Sequence, residues 1–326
     1  MTPTPRENLM LFGHGAAERM FADATESGRL HHAWLLTGPQ GVGKATLAWR
    51  MARRLLAGAG ANDPATPAVR RIVAGSHADV LTLEREVDAR TKKLKREVAV
   101  DQVREIAGFL HLTPAEGGWR VVVVDGAEDM NRNSANALLK VLEEPPKRAV
   151  LLLTSDAPGR LLPTIRSRCR RLRLDPLSDS EMNAALRHLV PEQDEAGRRE
   201  LGLVADGAPG RAVALADEGA LVLAALARSV LGAGRLGVAR MHEVADQATK
   251  GDMAFSTFMD LLQSGLGDAV RTAARGRTVS DAIMARPLAE WGEVWHALGR
   301  LRSETERFNL DKRSAVIAGL ELLAGP

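Results

Sequence analysis

The sequence predicts an α/β protein: an open parallel sheet flanked by helices, then a small helical domain, then a C-terminal all-helical domain. Three observations carry this. Strand-like runs at 33–36, 79–83, 121–124 and 149–154 alternate with segments of helical spacing, the order that builds parallel sheets with helices on their faces. Strand signals nearly vanish after Asp175, where Ala, Leu and Arg dominate. The first strand runs into Gly38-Pro39-Gln40-Gly41-Val42-Gly43-Lys44, with an apolar helix behind it. The expected domains are 1–174, 175–221 and 222–326.

The Gly38 to Lys44 stretch has the spacing G-x-x-x-x-G-K in a strand-to-helix context, which reads as a phosphate-binding loop. Glycines lacking Cβ let backbone N–H groups turn inward around phosphate oxygens. The helix N-terminus adds partial positive charge and Lys44 a full one, so a nucleotide triphosphate is the natural ligand. Gly38, Gly41, Gly43, Lys44, Ala45 and Thr46 are therefore candidate nucleotide-binding residues. One position departs from the pattern. The residue after the Lys should carry a hydroxyl for Mg²⁺, and here it is Ala45. Thr46 stands one residue late, about 100° round a helix.

In chain order, Ala17, Met20, Phe21 and Ala24 have helical spacing ahead of the first strand, and the spacing ends at Ser27-Gly28. His31-His32 lacks a second cluster to complete a metal site and reads as packing beside a bound base. Residues 57–68 read as an exposed Gly/Ala/Pro-rich excursion. The run Lys92-Lys93-Leu94-Lys95-Arg96 either touches phosphates or forms a solvated face. Asp101 can cap a helix with Val103, Ile106, Ala107 and Leu110 on one side. Val121 to Val124, a run suited to a strand covered on both faces, delivers Asp125 to the carboxyl end of the sheet. Ligands of such sheets bind at that end, and a Mg²⁺-associated Asp belongs there. The next residue of a hydrolysing enzyme would be an acidic base, and here it is Gly126; Glu128 and Asp129 begin the following segment and need not face the phosphate.

Asn133-Ser134 reads as the cap of a helix over 135–144, which Pro145-Pro146 stops. The strand at 149–154 brings Ser155 to the same edge as Asp125, where a small polar side chain can report on a terminal phosphate. Residues 160–171 are too dense in Arg for a buried element. They serve either to neutralise phosphates, in a neighbouring subunit for instance, or as a solvated basic rim. Later helices are expected over 182–189, 201–205, 211–226, 255–266 and 291–301, with a hinge at 206–210.

Composition bounds the reading. The 326 residues are 45% hydrophobic and 26% charged, as in a soluble globular protein. The first ten residues have no leader pattern, and no apolar stretch approaches about 18 residues, so a cytoplasmic protein with no membrane partner is expected. A single Cys169 excludes an internal disulfide and a multi-Cys zinc site. Net charge +3 and pI about 9.3 are mild for a nucleic-acid binder. With no Tyr, single-strand base stacking has little support.

Taken together, the loop, Val-Val-Val-Val-Asp ending at Asp125, Asn-Ala-Leu-Leu-Lys-Val-Leu-Glu-Glu-Pro-Pro at 136–146, Ser-Arg-Cys at 167–169 and Gly-Arg-Ala at 210–212 resemble the AAA+ clamp-loader subunits of bacterial replication. The resemblance covers about residues 1 to 220 and implies an AAA+ P-loop domain, a helical lid and, by position, a C-terminal collar. It assigns Gly38, Gly41, Gly43 and Lys44 to the Walker A loop, Asp125 to the Walker B acid, Ser155 to sensor 1 and Arg211 to sensor 2. Arg168 matches the finger that acts in trans on a neighbouring subunit's ATP. ATP or ADP is the implied cofactor, with Mg²⁺ only beside nucleotide. Zinc is not expected, because 55–79 lacks the Cys residues of the module often found there. Implied partners are gamma/tau-type and delta-type subunits, with the sliding clamp and primer-template DNA met through the complex. Ala45 and Gly126 set this chain apart from hydrolysing gamma/tau-type members; it is expected to be part of a DNA polymerase III holoenzyme without being its polymerase. An autonomous ATPase and a plain DNA-binding protein are the competing readings.

Overall fold

The computed structural model describes residues 3–86, 97, 98, 100–116, 118–217, 219–233, 235–251, 254–274, 276 and 278–324. The basic run Lys92 to Arg96 lies outside them. The chain parts into two compact units, residues 1–191 with 206–211, and residues 192–205 with 212–326.

The first unit contains α1 (Gly15–Glu26), β1 (Ala33–Thr37), α2 (Lys44–Ala57), α3 (Pro67–Ala74), β2 (Val80–Leu83), α4 (Val100–His111), β3 (Arg120–Val124), α5 (Arg132–Glu143), β4 (Ala149–Ser155), α6 (Pro163–Arg168), β5 (Arg170–Arg173) and α7 (Asp179–Leu189). Among the described residues the strands form one parallel sheet in the order β2-β3-β4-β1-β5. This is the α/β class read from the sequence.

The order explains the composition of each strand. β3 and β4 are buried along their whole length and are built on the apolar runs Val121 to Val124 and Ala149 to Leu153, as suits inner strands covered on both faces. One face takes Leu35, Val122, Val124, Leu151 and Leu153 against Val103, Ile106 and Leu110 of α4 and Leu138, Val141 and Leu142 of α5. On the other, Trp34 meets Phe21 of α1 edge to face, ring centroids 5.1 Å apart, and α2 buries Leu47, Ala48, Met51 and Ala52. Each fully buried Leu or Val contributes about 1.5–3 kcal/mol.

Several local expectations are corrected. The Arg-dense segment holds a fifth strand: β5 is an edge with only Leu172 inward, so Arg170, Arg171 and Arg173 keep their charge in solvent while their backbone pairs with β1. The excursion at 57–68 gives way to α3, which starts at Pro67. Asp101 lies inside the first turn of α4 and pairs with Arg104 at 3.1 Å instead of capping. The cap of α5 is Asn131, whose side chain accepts the N–H groups of Asn133 and Ser134; the Ser134 hydroxyl is buried and donates to Val98 O at 3.0 Å. His31 and His32 stack on each other ahead of β1, ring centroids 4.4 Å apart. They stand at the opposite end of that strand from the glycine loop, so they cannot flank a base held there.

The second unit is helical in its described residues: α8 (Glu195–Ala205), most of α9 (Pro209–Asp217), α10 (Ala220–Ala233), α11 (Val238–Ala248), α12 (Ala254–Ala274), α13 (Asp281–Met284), α14 (Leu288–Phe308) and α15 (Lys312–Ala324). The single helix expected over 211–226 is two, α9 and α10. The unit's core is built from Phe255, Phe258 and Leu262 of α12, Leu298 of α14 and Val316 and Leu320 of α15. Among the described residues no helix is long and apolar enough to cross a membrane.

Candidate functional site

The glycine loop joins β1 to α2 at the carboxyl end of the sheet. Gly38, Gly41 and Gly43 adopt φ of +155°, +77° and +111°, conformations that L side chains rarely take. The loop is also pressed from outside. A Cβ on Gly38 would stand 2.3 Å from Leu174 O, and one on Gly41 2.6 Å from Arg211 N. Gly210 N donates to Gly41 O at 2.8 Å, so the start of α9 sits on the loop and Arg211 is brought to it through its backbone. His14 Nε2 bonds Val42 O at 2.9 Å from the other side.

Lys44, Ala45 and Thr46 are the first three residues of α2. The helix opens at Gly43 with no side-chain cap, so its first N–H groups are not claimed by a capping side chain, which fits an anion. The Lys44 side chain is only 6% exposed; its Nζ donates to Gly38 O at 3.0 Å and Pro39 O at 2.6 Å, and lies 2.5 Å from Asp156 Oδ1.

The sheet register assembles the rest. Thr37 lies level with Ser155, and Val124 with Leu153, which brings Asp125 beside Thr154. Asp125 Oδ1 accepts the Thr154 hydroxyl at 2.5 Å, and Gly126 N donates to the same hydroxyl at 3.0 Å. Ser155 is fully buried, and its Oγ has no hydrogen-bond partner among the described residues. The two carboxylates that follow Gly126 each have a partner elsewhere, while Glu128 Oε2 is buried with no hydrogen-bond partner among the described residues. Glu128 Oε1 accepts the N–H groups of Asp156 at 2.7 Å and Ala157 at 3.2 Å. Asp129 Oδ2 meets Arg85 Nε at 3.0 Å, while burial pushes its carboxyl above the usual range against the pull of Arg85. A Cβ on Gly126 would come within 2.9 Å of that Asp129 oxygen, so this turn has no room for a side chain unless Asp129 moves.

Arg168 is not part of this assembly. It ends α6, two residues before β5, whose first residue Arg170 lies level with Trp34. That is the amino end of the sheet, away from the loop. There its Nη2 pairs with Glu143 Oε1 at 2.9 Å and its Nη1 donates to Thr164 O at 3.1 Å. The neighbouring Cys169 packs into the core, and burial pushes its thiol up to about 12, which makes it a packing residue and not a nucleophile. Among the described residues no group of three or more His, Cys, Asp or Glu side chains is placed to hold a metal.

The sequence reading overlooked Thr154, Asp156 and His14. The first two flank Ser155 directly, and the strand-end position that singled out Ser155 applies equally to them.

Residues 13–178 match the family described as DNA polymerase III, delta subunit. The chain belongs to that family. Its relatives include the DNA polymerase III subunit delta' of Pseudomonas aeruginosa, 41% identical over 193 residues, covering 58% of this chain and 56% of the relative. The delta' of Escherichia coli is 36% identical over 193 residues, with the same coverage of both chains. Subunit tau of Escherichia coli is 34% identical over 206 residues, covering 60% of this chain and 30% of tau. The chain thus spans about half the length of the delta' relatives it matches. Among solved structures, a DNA polymerase III gamma subunit-related protein from Thermotoga maritima aligns over 95% of this chain and 97% of its own, at 18% identity and a TM-score of 0.47. Within the DNA polymerase III delta-subunit family match lie the whole glycine loop, Asp125, Ser155 and Arg168; Arg211 falls beyond it.

Proposed function

We propose that this chain is a clamp-loader subunit of the delta' kind, non-hydrolysing or weakly hydrolysing toward any nucleotide its loop holds, which lends Arg168 to a neighbouring subunit's ATP site while the sliding clamp is loaded during DNA replication. One observation carries the non-hydrolysing half. The loop keeps Lys44, yet Ala45 offers no hydroxyl for a metal and Gly126 no base for water. The nearest replacements are tied down: Glu128 through Oε1 to the backbone of residues 156 and 157, and Asp129 to Arg85. Phosphoryl transfer depends on placing metal and water, and the residues at these two positions lack the groups that help to do so, which supports the non-hydrolysing reading.

ATP or ADP would be held by the loop at Gly38, Gly41 and Gly43, by Lys44 and by the N–H groups of Ala45 and Thr46, with Mg²⁺ arriving only alongside it near Asp125. Ser155 and Arg211 would report on the terminal phosphate from β4 and α9. We assign the AAA+ domain to 1–174, the lid to 175–221 and the collar, through which gamma/tau-type and delta-type partners assemble, to 222–326. Clamp and primer-template DNA are met through that complex, in the cytoplasm.

Steady-state phosphate release by the isolated chain tests this. Turnover at background level is expected. Robust turnover that Lys44→Ala abolishes would replace the proposal with an autonomous ATPase.

A further inference from the structure

We propose that Asp156 latches the phosphate loop: its carboxylate holds the Lys44 ammonium where a nucleotide's phosphate would pair with it, so nucleotide enters only by displacing Asp156. The inference rests on reading Gly38 to Lys44 as a phosphate loop.

An ammonium has three donors and no acceptor. Those of Lys44 go to Gly38 O, Pro39 O and Asp156 Oδ1. Two of these acceptors are neutral carbonyls, and Asp156 supplies the countercharge. A buried ammonium without a countercharge is costly, so the carboxylate is what makes the buried Lys44 tolerable in the chain by itself.

The placement of Asp156 is built, not incidental. The β1–β4 register sets Ser155 opposite Thr37, which brings the next residue on each strand, Asp156 and Gly38, to the same level. Glu128, from the turn after β3, then accepts the N–H groups of both Asp156 and Ala157 and fixes the backbone that carries the latch. The two partners are unequal in burial. The Lys44 side chain is 6% exposed and that of Asp156 41%. The carboxylate can therefore rotate into solvent while the ammonium stays, which makes Asp156 the group that yields to a phosphate. Asp125 and Glu128 add negative charge around the same strand ends, so an entering polyphosphate would also meet like charge there.

The test is equilibrium binding of ATP to the full chain by calorimetry, comparing the natural protein with Asp156→Asn. Removing the competing charge should tighten binding about 10- to 100-fold, the worth of one charge-assisted hydrogen bond. Because an amide oxygen still accepts from Lys44, Asp156→Ala should tighten it at least as much, and circular dichroism verifies that both variants are folded. The gain should vanish when Lys44→Ala is added to either. Equal affinity of the natural chain and folded variants overturns the latch and leaves the phosphate loop standing. Absence of binding by all of them at millimolar ATP overturns both. A gain that survives Lys44→Ala places the effect outside the loop and also overturns the latch.

Discussion

Thr154 ties two halves of one turn together: its hydroxyl donates to Asp125 Oδ1 at 2.5 Å and accepts the N–H of Gly126 at 3.0 Å. The side chain that positions the acid after β3 thus comes from the strand beside it, and Gly126 is held in its φ of +72° by the same contact.

Thr154→Val keeps the shape and removes both bonds. Thr154 is 2% exposed, so water has little access from its side to replace what is lost. Leaving the Asp125 carboxylate and the Gly126 N–H without this partner should lower unfolding free energy by about 1–3 kcal/mol. Urea denaturation followed by circular dichroism measures it, and an unchanged midpoint with an unchanged slope would show that the turn is held by something else.

Gly41→Ala and Gly43→Ala separate strain from crowding. Both positions have positive φ, but a Cβ at Gly41 meets Arg211 N at 2.6 Å, while one at Gly43 finds its nearest neighbour, His14, at 3.7 Å. Backbone strain alone costs about 1–2 kcal/mol. Gly41→Ala should cost more than that, because backbone rather than a flexible side chain must give way. Equal losses in the two variants would mean that the start of α9 is free to lift off the loop.

Stability should decline on mild acidification. Burial holds the His77 imidazole below its usual 6.5, helped by Arg71 and opposed by Glu116 and Asp79. Burial and then the charge of His31 hold His32 down as well. The unfolded chain therefore takes up protons near pH 6.5 while the folded chain resists, so stability is lost as pH falls from about 6.5 through the folded values. Asp129, raised by burial, runs the other way. Its contribution is present below about 3.8 and lost as pH rises through its folded value, a lower window. The urea midpoint should drop between pH 7 and pH 5, and His77→Asn, whose amide oxygen can still accept the Asp79 N–H that His77 Nδ1 accepts at 3.1 Å, should flatten that slope.

What the sequence showed and what it hid have physical causes. Inner strands must be apolar on both faces, so β1, β3 and β4 were legible as continuous runs, and the glycines and Lys44 were legible because phosphate chemistry restricts which residue can stand where. β5 was not, since an edge strand beside solvent needs only Leu172 inward and can be otherwise arginine. Asp156 and Glu128 were hidden for a different reason. A carboxylate means one thing facing a phosphate and another facing an N–H or an ammonium, and the registers of β1 and β3 on β4 determine which it faces. In the helical unit α11 and α15 went unread, because helices packed on other helices need only a stripe of small and apolar residues with no chemical signature.

Arg168 stands two residues before Arg170, which is level with Trp34 near the start of β1, and the phosphate loop follows the far end of β1. From Trp34, level with Arg170, to Gly38 is about 13 Å along the sheet, so the guanidinium stands away from its own loop, as the proposed service to a neighbour requires. It is about one-third exposed and held by Glu143 and the Thr164 carbonyl. An Arg supplied in trans is worth about 10³- to 10⁵-fold at the site it serves. If the other subunits of the proposed complex carry their own sites, Arg168→Ala should lower its clamp- and DNA-stimulated ATP hydrolysis only in part, with assembly intact. Arg168→Lys should not rescue it fully, since an ammonium lacks the planar fork that spans two oxygens. Glu143→Gln breaks the same ion pair while keeping the guanidinium, and should leave hydrolysis near that of the natural complex. If Glu143→Gln reproduced the loss, the ion pair would matter and not the Arg. Full hydrolysis with Arg168→Ala in an assembled complex would make residues 167–169 a solvated rim.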